Sequence, residues 1–167
     1  ILDGTERYIQ RPKDDEVQKS CYSGKKTHCV KNDVLSISDR RIVWLSKTYD
    51  GSTHDKKICD EQPLHLPHST NLWQDTGFLG HLPKNVNVIM PVKKPKGKEL
   101  TAEQKKRNKE ISSFRVIVEH AIGGVKRCRI VKDRYRCHKL FFEDTVMVLA
   151  CGLHNFRITM NINALVI

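Results

Sequence analysis

The chain has 167 residues, of which 38% are hydrophobic, and its formal net charge is +11 at pH 7. This length suits one domain with a sizeable core, and no apolar run reaches the roughly eighteen residues that would predict a membrane span. No charged-then-apolar leader opens the sequence, which begins at Ile1 within a predicted strand, so we expect a fragment with something missing upstream.

Positive charge is concentrated in one block of the sequence. Residues 91–140 contain 16 Lys and Arg against 5 Asp and Glu, whereas the rest of the chain is balanced. Such a block is typical of proteins that bind a polyanion, nucleic acid above all, although a solubilising surface can have the same composition. The candidates for contacts with backbone phosphates are Lys105, Lys106, Lys126, Arg127 and Arg129.

The six cysteines form no C-x-x-C pair, and no second Cys or His pair follows at zinc-finger spacing. We therefore expect free thiols, with a structural zinc as the alternative.

The first part of the chain predicts three consecutive strands. Residues 1–10 read as a strand with Asp3 near its start, and the polar stretch 13–26 reads as a loop. Residues 30–37 show partial alternation of apolar residues, residues 41–46 contain an apolar run, and Ser38-Asp39-Arg40 separates them, which predicts an antiparallel hairpin.

The second part predicts helices and short strands. A helix is expected over about 54–62, with brief strands at 71–74 and 86–90. Thr101 and Gln104 form a capping-box pattern that begins a helix reaching about Gly123. Its apolar residues recur at three- and four-residue steps and predict a buried stripe of Ile111, Phe114, Val118, Ile122 and Val125. An apolar closing helix over 141–156 completes a mixed α/β pattern with a partly antiparallel sheet.

Three acidic residues have distinctive positions in this pattern. Asp3 and Asp75 lie at ends of predicted strands, and Glu119 lies on the long helix beside its apolar stripe. Carboxylates so placed can gather around divalent cations, as phosphoryl-transfer chemistry requires. The alternative for Glu119 is an ordinary helical ion pair with Arg115, one turn back.

Five ordered blocks of the sequence resemble a known family. They are Asp3-Gly4-Thr5-Glu6, Tyr22-Ser23-Gly24-Lys25-Lys26, Gly51-Ser52-Thr53-His54-Asp55, Asp75-Thr76-Gly77-Phe78 and Val118-Glu119-His120-Ala121-Ile122-Gly123. From Asp3 to about Thr159 the chain resembles DDE-type transposases, in particular the PIF/Harbinger-like DDE superfamily endonuclease domain of bacterial insertion sequences.

The resemblance implies a ribonuclease H-like fold, a mixed five-stranded sheet with flanking helices. It implies a catalytic domain over residues 1–160, a tail over 161–167, and a missing upstream helix-turn-helix region. Asp3, Asp75 and Glu119 would be the catalytic residues and would hold two Mg²⁺ or Mn²⁺ ions. The implied partners are transposon-end and target DNA and further copies of the chain, with no membrane, in the bacterial cytoplasm at the nucleoid.

The resemblance also marks accessory candidates. Asp55, beside His54, is either an extra metal ligand or part of the packing of the helix that follows. His120 is either a donor to a substrate phosphate or an ordinary surface histidine.

The expected activity is metal-dependent cleavage and strand transfer at transposon ends. A second hypothesis is a truncated, catalytically silent remnant that still binds DNA through residues 91–140. It rests on the missing upstream region, on a segment Lys25–Val30 that is one residue shorter than in the family, and on the unexpected Cys21, Cys59 and Cys128. A third is a basic RNA-associated protein without an active site.

Overall fold

The computed structural model of the chain describes residues 1–137, 139 and 141–164. Its strands are β1 (Leu2–Tyr8), β2 (Cys29–Ser36), β3 (Ile42–Leu45), β4 (Tyr49–Asp50), β5 (Thr70–Trp73) and β6 (Val86–Ile89). Its helices are α1 (Asp15–Cys21), α2 (Asp55–Glu61), α3 (Ala102–Val125), α4 (Arg129–Lys132) and α5 (Phe142–Ala164), with a 3₁₀ turn at Thr76–Phe78. The predicted mixed α/β class is confirmed.

The three predicted consecutive strands form an antiparallel sheet. β1 pairs with β2 from Leu2 opposite Leu35 to Tyr8 opposite Cys29, and β2 continues into the predicted hairpin with β3. The short β4, which the sequence did not predict, pairs with the beginning of β2.

The two later strands form a separate pair. β5 and β6 run parallel to each other, and an isolated parallel bridge between Leu2 and Gln74 connects them to β1. The structure thus describes a four-stranded and a two-stranded sheet linked at one point, where the sequence predicted one sheet of five strands. Pairing stops there because the chain after Gln74 enters the 3₁₀ turn, whose first N–H bonds to the Asp75 carboxylate.

Both faces of the antiparallel sheet are covered by hydrophobic cores. Successive residues of a strand point to opposite faces, so Val34 packs with α3 and α5, whereas Leu35 packs towards α2 and the 3₁₀ turn. The first core also contains Val118, Ala121, Val125, Val146, Met147 and Ala150. The second contains Leu2, Cys59, Leu64, Leu72 and Phe78.

The long helix α3 begins at the predicted capping box. Gln104 N–H bonds to the Thr101 hydroxyl, and the Gln104 side chain accepts a bond from the Thr101 N–H. The predicted buried stripe needs one correction: Phe114 is 45% exposed and stacks on Trp73, outside the buried core. Ala121 lies in the core beside Val118.

Two other predictions needed correction. The stretch 13–26 is not all loop, because Asp14 accepts bonds from two backbone N–H groups and begins α1. The predicted closing helix exists but continues to Ala164, and five of its apolar residues, Val148, Leu149, Leu153, Phe156 and Met160, are exposed.

Within the described part of the chain, no helix is long and apolar enough to cross a membrane. The cysteines are free thiols, as expected.

Candidate active site

Asp3 and Asp75 lie side by side because the strands that carry them run in parallel. Leu2 of β1 and Gln74, the residue directly after β5, form the parallel bridge between the two sheets, so the residues that follow them, Asp3 and Asp75, are neighbours. Each carboxylate accepts a hydrogen bond from the N–H of the residue that follows it, at 3.0 Å for Asp3 and 2.6 Å for Asp75. The backbone therefore orients both side chains.

Arg115 of α3 bridges these two carboxylates. Its Nη2 lies 3.4 Å from Oδ2 of Asp3, and its Nη1 lies 3.4 Å from Oδ1 of Asp75. Burial raises the pKa of Asp3; Arg115 opposes this shift and the neighbouring Asp75 carboxylate adds to it. One guanidinium thus provides the positive charge that two adjacent carboxylates require.

Glu119 lies one helical turn beyond Arg115, since residues four apart share one side of a helix. Its side chain is exposed and lines a cleft with His120 and Arg127. In the described part of the chain it forms no ion pair with Arg115, whose partners are Asp3 and Asp75. The structure therefore brings two of the three predicted acids together and places the third one turn away.

The carboxylates of the site are of the type that binds a hard divalent cation, but they are not gathered into a metal-binding cluster. No three His, Cys, Asp or Glu side chains among residues 1–137, 139 and 141–164 are close enough to hold a metal ion together. Asp3 and Asp75 nevertheless offer adjacent carboxylate oxygens, which are the ligands that Mg²⁺ and Mn²⁺ accept. The Arg115 guanidinium already places a positive charge between them.

Asp55 packs behind Asp3 and Asp75, against Gly4, the residue after Asp3, and Gly77, two residues after Asp75. A Cβ atom at Gly4 would lie 3.2 Å from Cγ of Asp55, and one at Gly77 would lie 2.9 Å from its Oδ2. Lys31 donates to the Asp55 carboxylate at 3.0 Å and to the carbonyl of Thr53. Asp55 is therefore in contact with the segments that carry both Asp3 and Asp75.

A second carboxyl, Asp33, is buried beneath Asp55 in the middle of β2. Burial, together with the Asp55 charge, raises the pKa of Asp33 to about 8. Its Oδ2 accepts a bond from the Cys59 thiol, and its Oδ1 is buried with no hydrogen-bond partner among the residues that the structure describes. Burial therefore favours the protonated form of Asp33.

The predicted DNA-contacting residues differ in their surroundings. Lys126 is half-buried; burial and repulsion by Lys25 lower its pKa, and the neighbouring Glu6 carboxylate opposes this shift. Arg127 and Lys106 are exposed, Arg129 pairs with Asp133, and Lys105 lies 3.7 Å from Glu99. Of the accessory candidates, His54 precedes α2 without a side-chain capping bond.

Sequence reasoning missed the roles of Arg115, Lys31 and Asp33. Arg115 was considered only as a partner for Glu119, because helical spacing shows neighbours on the same helix and not contacts with a distant strand. Asp33 had one available signal, its position inside a predicted strand directly before Val34 and Leu35. An acid at such a position calls for a buried partner or a bound proton.

Comparisons with known proteins identify the family to which the chain belongs. Residues 2–155 match the family described as DDE superfamily endonuclease. The chain is also similar to a probable transposase for insertion sequence element IS702 from Microchaete diplosiphon, with 30% identity over 162 residues. That alignment covers 96% of this chain but only 57% of the relative, so the chain spans less than two thirds of that protein. No solved structure matches the chain at a significant level.

Proposed function

The chain belongs to the DDE superfamily endonucleases, and from this premise we propose that it is a metal-dependent domain that cleaves and transfers DNA strands at transposon ends. The observation that carries the proposal is the meeting of Asp3 and Asp75 at one guanidinium. Asp3 and Asp75 are far apart in sequence, and each directly follows one of the two residues, Leu2 and Gln74, that form the bridge between the sheets.

The order of the strands supports a ribonuclease H-like fold. Across the molecule the order is β3, β2, β1, β5 and β6 when the bridge between Leu2 and Gln74 is counted as the contact between sheets. The first three strands are antiparallel neighbours and the last three run in parallel, as one mixed sheet of five strands requires. In such a sheet the first acid would lie on the central strand and the second just beyond the end of the strand beside it.

DDE superfamily endonucleases generally use divalent metals, and we propose that Asp3, Asp75 and Glu119 hold Mg²⁺ or Mn²⁺ as a pair of ions. When bound, such ions lower the pKa of an attacking water and neutralise charge on the leaving oxygen. Asp3 and Asp75 supply adjacent carboxylates that the backbone already orients. Glu119 lies one turn beyond Arg115 on the same side of α3. A change of its side-chain rotamer would turn its carboxylate towards Asp3 and Asp75.

Other residues of the chain would position DNA. Lys126 lies two turns beyond Glu119 and near Glu6 of β1, at the edge of the same site. Arg127 and Lys106 present exposed positive charge, and we propose that they contact backbone phosphates together with Lys105 and Arg129. Such contacts are independent of sequence and weaken as salt rises.

The central test is nicking of supercoiled plasmid with Mg²⁺ or Mn²⁺. Asp75→Ala should abolish nicking, because it removes one of the two adjacent carboxylates. Asp60→Ala, a matched change of an exposed carboxylate on α2, should leave it intact. Equal nicking by wild type and Asp75→Ala would refute the proposal.

The second candidate is the silent remnant that only binds DNA. It is favoured by one observation: Glu119 makes no contact with the other two acids in the described chain. Thermal unfolding with and without Mn²⁺ separates the candidates, because a ligand that binds only the folded state raises the melting temperature. Salt-sensitive DNA binding with no Mn²⁺ shift and no nicking would favour the remnant.

We further propose that residues 1–160 form one catalytic domain. The protein would act at the nucleoid, where its DNA substrate lies. Copies of the chain would assemble into a homo-oligomer. Sedimentation velocity on the free chain and on its DNA complex tests the assembly.

A further inference from the structure

A cleft lies beside Glu119 where α3, α5 and the turn between β2 and β3 meet. Its volume is about 620 Å³. The side chains that matter for its chemistry come from all three elements: Arg40, Glu119, His120, Arg127, His154 and Arg157.

The cleft carries an excess of positive charge. In the described part of the chain, Arg40, Arg127 and Arg157 have no carboxylate within ion-pair distance. Asp39 also lines the cleft, but its carboxylate is taken by the backbone N–H and Nε of Arg41, at 2.9 and 2.7 Å. Glu119 is then the remaining acid against three guanidinium groups.

A buried histidine fixes the segments that carry two of these arginines. His154 is 2% exposed; its Nε2 lies 2.8 Å from the carbonyl oxygen of Arg40, and its Nδ1 lies 3.1 Å from Nη2 of Arg157. Because a guanidinium can only donate, Nδ1 accepts this bond and Nε2 carries the hydrogen that is donated to Arg40. Burial lowers the pKa of His154, which favours this neutral form.

Arg157 is held from a second side. Its Nη2 also donates to the carbonyl of Gly124 at 3.0 Å, which ties α5 to α3 at the floor of the cleft. Its remaining N–H groups make no recorded hydrogen bond within the described chain. A guanidinium whose position is fixed and whose donors are free is well suited to an anion with several acceptor oxygens.

We infer that this cleft binds a phosphodiester group of the DNA backbone. Arg40 and Arg127 provide positive charge, and Arg157, whose position is fixed, donates hydrogen bonds to the phosphate oxygens. The identification of the anion as DNA rests on the proposed function. The cleft lies next to Glu119, so a strand held there runs along α3 past the proposed active site. The contact adds two elements, the β2–β3 turn and α5, that lie outside the basic block at 91–140.

The test is the salt dependence of binding to a short duplex of arbitrary sequence in EDTA. The double variant Arg40→Asn with Arg127→Gln should reduce the slope of log K against log salt by between about 0.9 and about 1.8, the change expected for one or two lost charge contacts. Asn suits position 40 because this residue has a positive φ of 72°. Lys47→Gln with Lys84→Gln removes the same charge from exposed residues on the α2 side of the sheet, and should leave the slope unchanged.

A double-mutant cycle with modified DNA locates the contact. Replacing a single phosphate by a neutral methylphosphonate at the bound position should weaken binding to the wild type but not to the Arg40→Asn, Arg127→Gln protein. An unchanged slope in that double variant, or an equal loss in the Lys47, Lys84 control, would overturn the inference.

These outcomes are separable from failure of the proposed function, because binding in EDTA does not require cleavage. If the double variant lowers the salt slope but nicking does not depend on Asp75, the cleft is a DNA contact and the proposed nuclease activity is refuted. If nicking depends on Asp75 but the double variant leaves the salt slope unchanged, the nuclease activity is supported and the inference about the cleft is refuted.

Discussion

At the scale of single residues, Arg115 is the side chain with the clearest consequence. It pairs with Asp3 and Asp75 at once, and both carboxylates would repel each other without it. A guanidinium and a divalent cation compete for the same oxygen atoms, so binding of the proposed metal ion would exchange one positive charge for another.

We therefore predict that Arg115→Gln lowers the melting temperature in EDTA by a few degrees, as expected for a loss of about 1 kcal/mol, and enlarges the stabilisation produced by Mn²⁺. Thermal unfolding followed by circular dichroism measures both. Arg129→Gln, which breaks an exposed pair with Asp133, should change neither quantity; equal Mn²⁺ shifts in wild type and Arg115→Gln would contradict the prediction.

Asp33 gives a prediction about pH. Its pKa is raised to about 8 in the folded protein by burial, against about 3.9 in the unfolded chain. The folded state therefore holds a proton that the unfolded state releases, so this contribution to stability is fully present below about pH 4 and is lost as pH rises through about 8.

Asp33→Asn should remove that dependence. The difference in melting temperature between variant and wild type should shift in favour of the variant from pH 4 to pH 8 and level off above. Asp60→Asn, an exposed carboxylate of α2, should follow the wild-type profile. A constant difference across this range would show that Asp33 is ionised in the folded protein.

Residue-level roles were the least predictable from sequence. Asp3 and Asp75 could be singled out because each lies at the end of an apolar run, but their contact depends on the parallel alignment of β1 and β5, which pairs residues 2 and 74. Asp33 was missed because it follows two other polar residues, Lys31 and Asn32, so the sequence does not mark it as a buried acid.

At the scale of elements, the packing of α3 against α5 is decided by adjacent glycines. A Cβ atom at Gly124 would lie 2.4 Å from Nδ1 of His154, whereas one at Gly123 meets nothing within 4 Å. Position 124 therefore needs glycine for packing, and position 123 does not.

Gly124→Ala should destabilise the protein by about 1–3 kcal/mol, because the His154 ring must move and its bond to Arg40 is strained. Gly123→Ala should stabilise it by up to about 1 kcal/mol, because alanine favours the helix. Urea unfolding of both variants gives the comparison, and similar effects at the two positions would contradict the packing described for α5.

Elements with strong local signals were well predicted. The capping box at Thr101 and the hairpin at Ser38–Arg40 depend on residues close in sequence, and both are confirmed. The helix α1 had a signal in Asp14, whose carboxylate caps it, but its polar composition favoured a loop. The exposed face of α5 was not predicted, because apolar periodicity shows which residues can be buried and not what covers them.

At the scale of the whole molecule, the two cores share one sheet and should unfold together. Phe78 is fully buried in the core next to the 3₁₀ turn, while most helical residues belong to the core of α3 and α5. Of the two tryptophans, Trp44 packs against the Phe78 core and Trp73 stacks on Phe114 of α3. Tryptophan fluorescence therefore reports on the Phe78 core and on its contact with α3, whereas circular dichroism reports mainly on α3 and α5.

Phe78→Ala should cost about 3–5 kcal/mol, as removal of a buried phenylalanine commonly does. Fluorescence and circular dichroism should still give one coincident transition, at lower urea, because β1 and β2 contribute to both cores. Separate transitions would show that the chain contains two units and would contradict a single domain over residues 1–160.

Asp55 occupies the volume that any side chain at Gly4 or Gly77 would require. These three positions are distant in sequence but constrain one another, so related proteins with a larger residue at 4 or 77 are expected to carry a smaller one at 55. Covariation of this kind would be visible in an alignment of relatives and would trace the contact without further coordinates.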